Sequence, residues 1–204
     1  MRFWIVMLLL MTLAIVACDH PPVQKDTPTD QTSANHTKTE PTQMTSSPGA
    51  AQAPYELQFI DAMIAHHQET IDAAHLVATR AEHQELKLLA KSMISAQQQE
   101  IADMRSWRKA WFGDAEPAIN IDLPGVREGM ESVDLDKLDG LKENVFDLEF
   151  LRQMIPHHRA ALAMANDLLR KDVHAELKQL AQRIVQEHED EIEQMQGWQT
   201  QWSK

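Results

Sequence analysis

Residues 55–111 and 146–202 align without a gap at a fixed offset of 91, and 18 of the 57 positions are identical. A chain that writes one supersecondary unit twice is constrained to two similar units that complete each other's core. The identities cluster: Phe59/Phe150, Met63-Ile64/Met154-Ile155, His66-His67/His157-His158, His83/His174, Glu100-Ile101/Glu191-Ile192, Met104/Met195, Trp107/Trp198 and Trp111/Trp202. Within the first copy, Phe59, Met63, His66, Thr70, Ala73 and Val77 recur three and four residues apart, then Met93, Gln97, Glu100, Met104, Trp107 and Trp111 do the same. That spacing predicts two amphipathic helices per copy, with breaks near Thr79–His83 and Lys171–His174. Only 6 glycines occur, against abundant Ala, Leu, Gln and Glu, which favours helix over strand.

The fold expected is therefore all-α. Two helical hairpins, 55–112 and 144–204, are joined by a crossover over 113–143 that holds most of the glycines plus Pro117 and Pro124. This connection is too long for a tight turn. Hairpin, long crossover, hairpin is a ferritin-like route to a four-helix bundle over 55–204. Gly113 and Pro117 are expected to end the second helix. Asn144 is a plausible N-cap of the third, with Asp147 three residues on. Pro156 falls inside the third helical pattern and is expected to kink it. The tryptophans near the helix ends are expected to cap the core.

The N-terminus has a different character. Arg2 precedes an apolar run, Phe3 to Ala17, broken only by Thr12. It is short for a membrane span and suits the core of a signal peptide over 1–17. It ends Ile15-Val16-Ala17-Cys18, which resembles the bacterial lipobox, and Cys18 is the only cysteine. The resemblance implies cleavage before Cys18 and lipidation on it. It also implies retention at the inner membrane, from Asp19. Residues 18–54, rich in Thr, Pro, Gln and Ser, read as a disordered tether. The expected location is extracytoplasmic, anchored to a membrane by lipid and not embedded in it. A net charge of -12 argues against nucleic-acid binding and draws cations in.

The chemistry lies on the repeated faces. On a helical wheel Met63 lies between His66 and His67, and all three border the apolar stripe. Met154, His157 and His158 repeat the arrangement, and Met164 lies one to two turns on. The facing helices supply Glu100 with Met104, and Glu191 with Met195. His188 precedes Glu191 by three residues and has Gln97 as its counterpart. A buried carboxylate is costly unless hydrogen-bonded or bound to a metal. Either Glu–His pairs or metal ligation would satisfy it. Thioether plus imidazole suits copper, Cu(I) above all, with zinc or silver as alternatives. The Glu-x-x-His of di-iron proteins is missing; Asp72-x-x-His75, present once, is the nearest case. There is no Gly-rich phosphate loop, no Gly-x-Ser-x-Gly and no Cys-x-x-Cys-His. Three readings follow: a copper buffering, resistance or delivery protein with a protein partner that receives the metal; a metal-free interaction lipoprotein; or a metal oxidase.

The run Met154-Ile-Pro-His-His-Arg-Ala-Ala-Leu-Ala-Met-Ala165, with Glu191-Ile-Glu-Gln-Met195-x-x-Trp198, resembles domain-of-unknown-function family 305. The resemblance covers 55–204. It implies a ferritin-like bundle in a secreted or lipid-anchored bacterial protein, some members being associated with copper. The motif carries onto Met154, His157, His158, Met164, Glu191 and Met195, and in the first half onto Met63, His66, His67, Glu100 and Met104. The first half has Ala73 where the second has Met164, so its site is expected to be the weaker.

Overall fold

The four long helices end where the sequence withdraws its apolar stripe. The computed structural model describes residues 44–204. Helix α1 runs Tyr55–Arg80 and α2 Gln84–Phe112. Two short crossover helices follow, α3 Val126–Met130 and α4 Leu135–Asp139. Helix α5 runs Glu143–Leu169 and α6 Ala175–Trp202. The chain is an all-α bundle of two hairpins. Gly113 stops α2 with φ +60, a conformation that other residues rarely adopt. Pro156 lies inside α5, which continues through it as one helix.

Each hairpin is closed by residues of the other. Asp147, at the start of α5, is fully buried and accepts hydrogen bonds from the backbone N–H of Glu82 and His83 and from His83 Nδ1 (2.7 Å). These are the groups that open α2. Asp147 therefore supplies a cap across the molecule, and the expected local cap at Asn144 is not made: the N-cap of α5 is Lys142. The His83 ring stacks on Trp202 with centroids 3.8 Å apart. The mirror arrangement holds 91 residues away. Glu56 of α1 accepts from the His174 backbone N–H and Nδ1, and His174 stacks on Trp111 at 4.0 Å. Trp111 and Trp202 thus close the ends of the bundle on histidines.

The crossover is held by polar contacts and by close packing. Asp61 of α1 takes Arg108 of α2 in a two-pronged pair and also accepts from the Ala118 N–H. Gly125 has φ +83, and a Cβ there would lie 2.2 Å from the Ala160 carbonyl oxygen. At Gly129 a Cβ would lie 2.7 Å from the His66 ring. Helix α3 is therefore pressed onto α5 and His66 by two side chains that are absent. The folded body also begins earlier than the expected tether end at residue 54. Ser47 N–H bonds to the Ile119 carbonyl, Ile121 N–H to Ser46 Oγ, and Ala50 is buried. The expected signal segment, Cys18, Asp19 and most of the expected tether lie outside the described residues.

The core is divided. One apolar cluster contains Phe59, Met63, Ile101, Met104, Met164, Leu168, Leu177 and Ile184. The other contains Val77, Leu86, Met93, Phe146, Phe150, Met154, Ile192 and Met195. Each cluster draws on all four long helices. Fully burying each such side chain stabilises by roughly 1.5–3 kcal/mol. On every long helix, buried polar residues fall between the two groups: His66, His67 and Thr70; Gln97 and Glu100; His157 and His158; His188.

Candidate metal centre

The polar belt is a contiguous set of imidazoles. His67 Nε2 donates to Glu100 Oε2 at 2.8 Å, and His158 Nε2 to Glu191 Oε2 at 2.8 Å. These are the Glu–His pairs the stripes predicted, one inside each hairpin. His66 and His157 meet across the molecular middle, their rings stacked at 3.6 Å. His66 Nε2–H donates to the His157 carbonyl at 2.9 Å, while His157 contacts Thr70 Oγ1 and Glu69 Oε2 at 3.3 Å each. His188 stacks on His158 at 4.3 Å and faces His67 at 6.2 Å. Five histidines from α1, α5 and α6 thus share one buried layer.

Several of their nitrogens have no partner. His66 Nδ1, His67 Nδ1, His158 Nδ1 and both ring nitrogens of His188 are buried and unbonded, as is Gln97 Oε1. A buried polar atom without a partner costs about 1–3 kcal/mol, so such a concentration points to something that would satisfy it. A carboxylate fixing one imidazole nitrogen while the other offers a lone pair is the usual surrounding of a metal-bound histidine. Among the described residues, His158, His188 and Glu191 place one donor atom each within 4.8 Å of one another.

Burial also sets the protonation. Desolvation, with the neighbouring His67, lowers the His66 pKa to about 3. Desolvation and the surrounding histidines hold His157 and His188 well below the ordinary imidazole value. All three are neutral at pH 7 and keep a lone pair. Glu69 is pushed up to about 7 by burial and by Asp72. Glu187 is raised by burial and by the nearby Glu100 and Glu191.

Met63, Met104, Met154, Met164 and Met195 are buried, but their grouping differs from the sequence expectation. Met164 packs in the same apolar cluster as Met63 and Met104, whereas Ala73 belongs with Met154 and Met195. Met164 therefore lies with Met63 and Met104 on one side of the belt, and Met154 and Met195 lie on the other. Helices α2 and α6 are separated by a groove lined by Glu85, Leu88, Glu187, Asp190, Glu191 and Trp198, with a volume of about 590 Å³. Its floor includes the carboxylate that holds His158.

Sequence reasoning missed Glu69, Thr70 and Gly129 as neighbours of the histidines. Glu69 aligns with Ala160 in the repeat, so the comparison of halves concealed it. Ala160 is small where α3 lands: a Gly129 Cβ would be 3.4 Å from its own Cβ.

The family model described as domain of unknown function (DUF305) matches residues 56–199. The chain belongs to the DUF305 family. Solved structures agree. CopM in its Cu(I)-bound form is 36% identical with a TM-score of 0.62, over 74% of this chain and 100% of that one. CopM in its Cu(II)-bound form is 38% identical with a TM-score of 0.64, over 72% and 97%. A DUF305 protein from Streptomyces coelicolor, assigned as secreted, is 25% identical with a TM-score of 0.63, over 72% and 92%. No curated protein matches the chain. No described helix is long and apolar enough to cross a membrane.

Proposed function

We propose that this DUF305 protein binds copper in its histidine belt and buffers or delivers it outside the cytoplasm, tethered by a lipid on Cys18. The observation that carries this reading is the pair of Glu-anchored rings, His67 and His158, each with a buried, unpartnered Nδ1. In this reading His66 and His157 complete the imidazole layer, and Glu100 and Glu191 orient rings. Met63, Met104, Met154, Met164 and Met195 supply soft thioethers on either side. That donor set favours Cu(I) over zinc. Similarity to a protein known in Cu(I)-, Cu(II)- and silver-bound forms supports the ion. The lipobox-like sequence and a secreted relative support the location. The acidic composition raises the local cation concentration.

A second reading keeps the two Glu–His bonds as purely structural ties, and the 2.8 Å geometry of both favours it. One experiment separates the two. The chain is titrated with Cu(I) under a competing chelator, with Ag(I) and Zn(II) in parallel. Tight uptake of Cu(I) and Ag(I) at one or two equivalents, lost in His157→Ala/His158→Ala, upholds the copper reading. Binding no stronger than that of a generic acidic protein leaves the structural reading.

A further inference from the structure

The two halves differ at one buried position on the facing helices, and the difference creates a donor. His188 stands where the first half has Gln97, and each is 2% exposed. Both nitrogens of His188 lack a partner. A neutral imidazole carries one N–H and one lone pair, so burial leaves both functions unmet. His188 Nδ1 lies 4.0 Å from Glu191 Oε2, which itself accepts from His158 Nε2.

We propose that His158, His188 and Glu191 form a site for one Zn(II) ion, reached at Glu191 from the groove between α2 and α6. Two imidazoles and a carboxylate are a ligand set that zinc accepts, with an open position left for water or an incoming ligand. Donors about 2.0 Å from one ion stand about 3.3 Å apart, so the observed spread of up to 4.8 Å closes with about 1 Å of side-chain movement. His158 can serve because its Nδ1 has no partner to lose. Moving the ring proton there frees Nε2 for the ion. The same ring thus meets a soft ion through Nδ1 or a divalent one through Nε2, one at a time. Access comes through Glu191, whose side chain is 15% exposed and lines the groove. The first half has His67 and Glu100 in the mirror places, with Gln97 as the third member, and an amide is a poor zinc ligand.

The test uses the full chain in detergent micelles, titrated with Zn(II) against a chromophoric chelator. The wild-type chain is expected to hold one equivalent. His188→Gln, which installs the first half's residue, is expected to weaken that binding at least tenfold. Gln97→His is expected to add a second equivalent, and this gain keeps the test decisive if His188→Gln does not fold. A wild-type chain that cannot hold Zn(II) against the chelator overturns the site, and so does a folded His188→Gln chain with unchanged affinity. The copper reading is scored separately. Zn(II) uptake without Cu(I) uptake upholds this site and overturns that reading, while the reverse overturns this site alone.

Discussion

A histidine buried without charge is a liability in acid, and this bundle holds three. His66, with its pKa lowered to about 3, and His157 and His188, held well below the ordinary value, bind a proton only weakly when folded. The unfolded chain binds it near pH 6.5, so between that pH and the folded values the unfolded state carries more protons. Above about pH 6.5 the penalty is absent, and it grows as pH falls toward the folded values. For His66 the cost reaches about 2 kcal/mol by pH 5, and His157 and His188 add in the same direction. The metal-free protein is therefore expected to melt at clearly lower temperature at pH 5 than at pH 7.5, followed by circular dichroism; a flat profile would contradict neutral burial. Glu100→Ala strands the His67 N–H and should destabilise by about 1–3 kcal/mol in urea unfolding. Glu191→Ala should cost less, since the Glu191 side chain is 15% exposed against 6% for Glu100. Gly125→Ala combines a left-handed backbone with a backbone clash at Ala160, so it should be among the most damaging single substitutions in the crossover.

Between helices, the two reciprocal closures are alike in plan and unequal in strength. Asp147 is fully buried and holds three donors, whereas Glu56 is 17% exposed and faces a His174 side chain that is 47% exposed. Asp147→Ala is expected to cost about 2–3 kcal/mol by denaturant titration, and Glu56→Ala about 1 or less. Equal losses would mean that burial does not set their strength. The helices themselves were legible in the sequence because a stripe at three and four residues is a local signal. So were the Glu–His pairs, which lie 33 residues apart within one hairpin. The closures were not legible. They join residues 64 and 118 apart, and the repeat aligns Glu56 with Asp147 without showing that each serves the other hairpin. The Asn144 cap is not made because α5 already begins at Glu143, and the Asp147 carboxylate expected beside it turns to the start of α2. The grouping of Met164 was not legible either: it follows from the C-terminal half of α5 packing in one cluster with the N-terminal half of α1.

At the scale of the whole molecule, the ligands proposed for copper sit on helices from both hairpins, so an ion shared between them resists their separation. Saturation with Cu(I) at a hundred times its dissociation constant would add about 2.7 kcal/mol, raising the melting temperature by roughly 5–10 °C. No shift under tight binding would mean that the unfolded chain holds the ion equally well and that the folded belt is not the site. Cleavage at the exposed turn after α3, at Glu131, should leave the two hairpins co-eluting in size exclusion until denaturant is added, because both core clusters draw on both of them. The reciprocal closures also bear on ancestry. A gene for a single hairpin would make a chain whose loop histidine finds its carboxylate and its indole only in a second copy. The present protein has the form of such a symmetric pair after its two genes fused. The two copies now differ: one carries the imidazole at 188 and a small residue at 160, the other the amide at 97 and the acid at 69. A self-pairing ancestor would have had to carry any such change on both sides at once; the fused descendant can try it on one.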